Sequence, residues 1–266
     1  MIVYRWIFAA LVLGLSCSSK AEVFWEAGIG IGHVTAPDYP GSDEYQAYTL
    51  PIPYLQLKTD RWSIDRQGIH GGLFKLHALR LDLDLELGLP TDSGDNGARR
   101  GMPDLGPAVQ IGPSLVYRLY QTDSTQWELY LPVRRFVALE DGSLNAHGWV
   151  LQPYLFGETH FGRDASWLFS FAIGPQYSDR KYQDYFYGVD EAYVTEQRSF
   201  YEAEAGYSGI HSRLGLRRRF SDYWFGIYLR YQQFDNTSFE DSPLLKQRDY
   251  LLVGVGFSWI FAGSKQ

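Results

Sequence analysis

The chain has a single cysteine, Cys17, in 266 residues, so a disulfide framework is excluded. Basic charge is scarce: 24 Lys and Arg stand against 31 Asp and Glu, a net −7. The attraction to phosphate on which nucleic-acid binding rests is therefore missing, and nucleic acid is excluded as a partner. No apolar run is long enough for a spanning helix. The one long run, Trp6 to Leu15, falls well short of the roughly 20 residues required. After Glu22 no segment keeps a 3.6-residue period. What the chain does have is 45% apolar residues, 17% aromatics and 27 glycines, ample to bury surface and incompatible with disorder. Two β-rich classes fit: a secreted β-protein, or a membrane barrel whose apolar residues are hidden by alternation.

Residues 1–21 read as a cleaved export leader. Arg5 supplies the positive start, Trp6 to Leu15 the apolar core, and Ser19-Lys20-Ala21 a small-x-small cleavage site. Cys17 follows Gly14-Leu15-Ser16, an order that does not match a lipid-attachment motif, so it is assigned to the leader. Removing Arg5 and Lys20 leaves 22 bases against 31 acids, a net −9 for the mature chain 22–266.

Period 2 dominates that chain. From Leu79 to Leu87 every odd position is Leu and every even one is charged. A helix would smear those leucines around its circumference, whereas a strand puts them on one face. The same pattern puts Trp127, Leu129, Leu131, Val133, Val137 and Leu139 opposite Glu128, Tyr130, Arg134 and Phe136. It puts Leu251 to Phe261 (odd positions) opposite Gly254, Gly256 and Ser258. Leu is a mediocre strand former in water, so a Leu-rich face points to lipid. Short turns (58–61, 121–125, 162–166, 221–222) alternate with long polar loops (36–45, 91–104, 140–147, 179–199, 236–248), as in an outer-membrane barrel. The expected fold is thus an all-β transmembrane antiparallel barrel in the outer membrane. Closure with both ends periplasmic needs an even count. Splitting Arg61–Lys75 into a hairpin at Asp65-Arg66-Gln67-Gly68 gives twelve strands, the preferred number, and merging it gives ten.

The face opposite the lipid lines the lumen. It carries Glu26, Arg80, Asp82, Asp84, Glu86, Glu128, Arg134, Arg213, Arg217, Arg219 and Arg230. These charges suit either a pore or ligand channel, or a plug of mutually satisfied ion pairs. The narrowness of so small a barrel favours the plug. Gly28-Ile29-Gly30-Ile31-Gly32 lacks the spacing and following helix of a dinucleotide site, and reads as close approach of neighbouring strands. Catalytic patterns are missing too. The six histidines show no HExxH spacing, there is no GxSxG elbow, and Ser208 and His211 on one strand are expected on opposite faces. No catalytic residue, metal or cofactor is implied. Gly256-x-x-Trp259-x-Phe261 is similar to the terminal signal read by the barrel-assembly machinery.

Ala36-Pro37-Asp38-Tyr39-Pro40-Gly41-Ser42-Asp43-Glu44-Tyr45, then Leu50-Pro51-Ile52-Pro53-Tyr54, resembles the MipA/OmpV family of outer-membrane proteins. Arg100-Gly101-Met102-Pro103-Asp104, Tyr185-Phe186-Tyr187-Gly188-Val189 and Asp241-Ser242-Pro243-Leu244 agree in order across the mature chain. The chain departs from that pattern at Met102-Pro103 and in five residues after Phe261. Physically, Tyr39-Pro40-Gly41-Ser42 is a tight turn. The resemblance implies a scaffold at the inner face of the outer membrane, bridging a murein-cleaving and a murein-synthesising enzyme. Other members are linked to osmotic or antibiotic responses and adhesion. A narrow solute channel or ligand-binding barrel is the alternative, and an outer-membrane hydrolase a third.

Overall fold

The computed structural model describes residues 23–264 apart from 60–61, 66–67, 72–73 and 164–165. The expected leader, Cys17 included, lies outside the described residues. Fourteen strand segments form one sheet in which every pairing is antiparallel. They are β1 (Phe24–Pro37), β2 (Tyr45–Lys58), β3 (Trp62–Asp65), β4 (Gly68–Gly71), β5 (Phe74–Leu76), β6 (Leu79–Gly88) and β7 (Ala108–Gln121). The rest are β8 (Thr125–Glu140), β9 (Ser143–Leu151), β10 (Tyr154–Phe161), β11 (Trp167–Ser178), β12 (Gly206–Phe220), β13 (Tyr223–Gln233) and β14 (Asp249–Gly263).

The sheet closes on itself. The first strand pairs with the last, with Ile29 opposite Trp259 and Gly32 opposite Gly256. The two ends of the strand order, β4 and β5, are consecutive in the chain, and β4 lies beside the β6 strand that β5 pairs. β9 and β10 both pair with β8 and β11, so they form one wall strand interrupted at Gln152-Pro153, where Pro cannot donate to the ladder. Counted in this way, the described residues hold thirteen strand segments, near the expected twelve or ten. β3 and β4 are joined with Asp65 opposite Gly68, which is the hairpin reading rather than the merged one. Among the described residues β3 reaches only Leu57 and Lys58 of β2. The remainder of that β2 edge carries Pro51 and Pro53, which an edge strand tolerates because no ladder bond is demanded there.

Alternation decides inside and outside. On β8, Leu131 and Val133 are about 40% exposed while Glu128 and Arg134 are 1% exposed. On β14 the odd residues Leu251 to Phe261 are all exposed, and Ser258 between them is buried. Such a continuous apolar belt is far larger than the patches soluble monomers show, and a bilayer covers it. Aromatics and arginines mark its rims. Arg218 lies over the rings of Trp167 and Phe220 at 5.0 and 4.2 Å, and Arg135 over Trp149 at 5.1 Å. The β1 glycines pack as the spacing suggests: a Cβ on Gly28 or Gly30 would collide with the β14 backbone.

Three expectations are corrected. Residues 140–147 are not a long loop. Asp141-Gly142, both at positive φ, make a two-residue hairpin, and Ser143 onward is strand. The long 179–199 connection is not strand-and-loop only. It contains a helix, α1 (Arg180–Tyr187), whose first turn is capped by the Asp179 carboxylate accepting from Tyr182 N at 3.0 Å. Finally, Ser208 and His211 do not fall one inside and one out. Both are buried, because the β11–β12 ladder slips beside Gly209, which sits at φ +104°. They still form no nucleophile–base pair. Ser208 Oγ lies 2.6 Å from Ser178 Oγ and accepts from Gln183 Nε2, while His211 Nε2 has no partner.

Candidate functional site: a charged lumen under a folded roof

The lumen charges sit in two tiers. In the lower one Arg80 reaches across from β6 to β8, its guanidinium donating to Glu128 Oε1 and Oε2 at 2.5 and 2.8 Å and to the Tyr130 hydroxyl at 2.9 Å. It also meets Asp82 at 2.7 Å, and Arg118 approaches Glu128 at 3.6 Å. In the upper tier Arg134 is 2.8 Å from Asp84 and 3.1 Å from Glu86, and donates to Gln152. Glu86 also accepts from Arg230, on the far side of the barrel. The stacked rings of Tyr130 and Tyr154, 4.7 Å apart, lie between, with Arg213 over Tyr154 at 4.7 Å. The basic row of β12 is satisfied elsewhere: Arg217 faces Glu158 at 3.7 Å, and Arg219 clasps Glu26, whose Oε1 accepts from Nη2 at 2.6 Å. The eleven charges singled out by alternation therefore all face inward, and ten of them form ion pairs. Arg213 is the exception, resting on an aromatic ring.

Above the upper tier the long connections fold into a roof, and the motifs quoted above meet there. Pro40 and Gly41 occupy the centre of a turn closed by Ser42 N donating to Tyr39 O at 3.0 Å, with Gly41 at φ +92°. That turn aims Tyr39 into the roof, where it is 2% exposed and donates to Leu244 O at 2.7 Å. Asn96 joins Asp38 and Ser42 at 2.8 and 3.1 Å. Arg99 lies 5.6 Å over the Tyr39 ring and donates to Phe186 O. Ser242 donates to Tyr187 O at 2.7 Å, and Tyr187 stacks on Phe239 at 3.8 Å. Four loops thus share one small core of Tyr39, Leu105, Val189 and Leu244. Burial shapes the ionisation of its polar groups. It raises the Asp38 carboxyl, pushes the Tyr182 and Tyr185 phenols up to about 12, and lowers the Arg99 guanidinium.

α1 couples roof to wall. Tyr182 packs edge-on against Phe136 of β8 at 5.1 Å. Gln183, fully buried, donates to Ser178 Oγ and Ser208 Oγ at 3.2 and 3.1 Å and accepts from Ser238 at 2.9 Å. Nothing in the sequence marks Tyr182, Gln183, Asn96 or Arg99, and His211 stands out there only as a potential partner of Ser208. Only the capping pattern, Asp179 before an amphipathic turn, offered a local signal. The terminal pattern places Gly256 inward and Trp259 and Phe261 outward on β14. That strand runs on through Gly263, so Ala262 and Gly263 belong to the wall.

A closed antiparallel wall, an apolar outer belt, a charged interior, and tight turns at one rim with folded loops at the other define an outer-membrane β-barrel. A family model for the MltA-interacting protein MipA matches residues 29–261, and the chain belongs to that family. No curated relative matches. Among solved structures the chain is similar to the NanC porin (8% identity, TM-score 0.38, covering 89% of this chain and 98% of that one). It is also similar to the outer-membrane protein OprG of Pseudomonas aeruginosa (12%, 0.29, 89% and 97%) and to the outer-membrane channel DcaP of Acinetobacter baumannii (8%, 0.38, 93% and 99%).

Proposed function

We propose that this outer-membrane barrel is a non-catalytic scaffold that organises the envelope, bridging murein-cleaving and murein-synthesising enzymes from its periplasmic rim. The observation that carries the closed-scaffold reading is the cross-lumen tier Arg134–Asp84/Glu86–Arg230, roofed by α1 and the loops. A solute would have to break buried ion pairs to pass. The choice of partner rests on the family, whose description names an MltA-interacting protein. Contact would fall on the short periplasmic turns, such as the exposed Asp123 and Asp222. The Gly256, Trp259, Phe261 pattern is proposed to serve the barrel-assembly machinery during insertion.

Two measurements test this. Photo-crosslinkers at positions 123 and 222 in intact cells should capture murein enzymes, and capture of none sinks the bridging role. In planar bilayers the purified barrel should give no conductance steps. Steps abolished by charge reversal at Asp82 and Asp84 would establish the narrow-channel alternative instead.

A further inference from the structure

The ion pairs of the lumen leave one arginine over. Among the described side chains, Arg80 and Arg118 are matched by Asp82 and Glu128, and Arg134 and Arg230 by Asp84 and Glu86. Arg217 is matched by Glu158 and Arg219 by Glu26. Six guanidiniums thus meet six carboxylates, and Arg213 is the seventh. It forms no ion pair among the described residues and lies 4.7 Å over the Tyr154 ring. In the ladder it stands opposite Arg230, and the nearby Glu86 is already committed to Arg230 and Arg134. A ring face offsets only part of the cost of an unpaired charge inside a membrane barrel. An arginine kept there at that cost marks a place for a counter-ion.

Arg213 can also be reached, because it is only half-buried. Below it on the same face of β12 come Arg217, 29% exposed, and Arg219, 43% exposed, the latter next to the short turn at 221–222. The neighbouring wall presents few side chains. Gly226, Gly256 and Gly32 lie in one row across β13, β14 and β1, and a Cβ on Gly254 would meet nothing closer than 3.9 Å. Tyr228 faces inward two residues from Arg230 and is still 37% exposed. A vestibule therefore leads from the periplasmic rim up to Arg213 and stops at the Arg134–Glu86–Arg230 tier. The excess is one positive charge, so the guest carries one negative charge. A guanidinium presents paired N–H donors that the two oxygens of a carboxylate match. We infer that this vestibule binds a small monocarboxylate, its two oxygens accepting from the Arg213 guanidinium. This goes beyond the scaffold role and does not depend on it.

The test is calorimetric titration of the full mature barrel, refolded in detergent at low ionic strength, with sodium acetate. Acetamide is the uncharged isostere, and sodium chloride controls for binding of any anion. Saturable acetate binding with a Kd of about 1 mM is expected, with acetamide silent and chloride about tenfold weaker. Arg213→Gln should weaken acetate about tenfold or more while heat-modifiable migration stays that of the folded barrel. Arg213→Lys keeps the charge but loses the planar fork, and should weaken acetate several-fold. If Arg213→Gln fails to fold, Arg213→Lys decides. Arg135→Gln removes a charge from the outer rim instead and should leave the affinity unchanged. No saturable acetate binding, equal binding of acetamide or chloride, or wild-type affinity in the folded Arg213 variants overturns the proposal. So does a loss in Arg135→Gln as large as that in Arg213→Gln, which would trace the effect to net charge alone.

Discussion

Replacing Arg134 by Met separates a structural ion-pair network from a row of charges that happens to line a lumen. Arg134 is 1% exposed and holds Asp84 at 2.8 Å and Glu86 at 3.1 Å. Removing one partner of a buried pair costs about 3–5 kcal/mol, because the remaining charge is stranded in a poorly solvated site. Here the loss divides unequally. Glu86 keeps Arg230, whereas Asp84 is left with only the Tyr154 hydroxyl at 3.5 Å. The expected cost is therefore at the low end, about 3 kcal/mol, a shift of roughly a hundredfold in the unfolding equilibrium. Urea unfolding in lipid bilayers, followed by tryptophan fluorescence and heat-modifiable migration, reads it directly. Adding Asp84→Asn to Arg134→Met removes the stranded charge and should recover about 2 kcal/mol. If the single variant unfolds with the wild type, or the double variant is no better than the single, the ion pairs do not hold the barrel together.

Other perturbations follow from the same geometry. Leu83→Arg places a charge on the lipid face of β6 and should cost about 2–4 kcal/mol near mid-bilayer, measured as lost insertion into liposomes; normal assembly would mean the faces are reversed. Asp179→Ala removes the cap of α1 and should cost about 1 kcal/mol, seen as faster hydrogen exchange over 180–187 with the strands unaffected. The Tyr182 and Tyr185 phenols, raised from 10 to about 12, favour the folded roof fully below pH 10, and this contribution disappears as pH climbs through 12. Limited proteolysis of the loops should therefore accelerate between pH 10 and 12, and Tyr182→Phe should reduce the change.

The wall was legible because a barrel strand has a two-residue period and its two solvents differ as much as solvents can. Leu79 to Leu87 could be sorted into lipid and lumen without any knowledge of its neighbours. The turns were partly legible. Asp65–Gly68 carries the residues of a tight hairpin, while Asp141-Gly142 is followed by polar Asn145 and His147, which resemble a loop. The Ser208–His211 parity failed for a physical reason: one residue at positive φ on β12 shifts every side chain beyond it to the other face. The partners of the lumen charges were not legible, since Arg134 meets Glu86 across 48 residues of chain and Arg230 meets it across 144. Nor was the roof. Tyr39, Asn96, Arg99, Tyr187 and Leu244 come from four loops whose proximity depends on the closure of the wall beneath them.

Roof and lumen meet at α1, and this makes their stabilities separable by experiment. Gln183 ties the helix to Ser178 on β11 and Ser208 on β12, and to Ser238 in the last loop. Gln183→Leu removes those bonds but strands little. Ser178 and Ser208 remain 2.6 Å apart, and Ser238 still donates to Tyr207 O at 3.2 Å. Each lost bond is worth about 1 kcal/mol, and the loss falls on the roof alone. Hydrogen exchange over 180–187 and 236–243 should rise by one to two orders of magnitude, as an estimate from about 1–3 kcal/mol of local opening, while barrel unfolding in urea is unchanged. Arg134→Met should do the reverse, lowering barrel stability while Tyr39, Leu105 and Leu244 still hold the roof core together. If Gln183→Leu lowers urea stability as much as Arg134→Met does, roof and wall unfold as one cooperative unit.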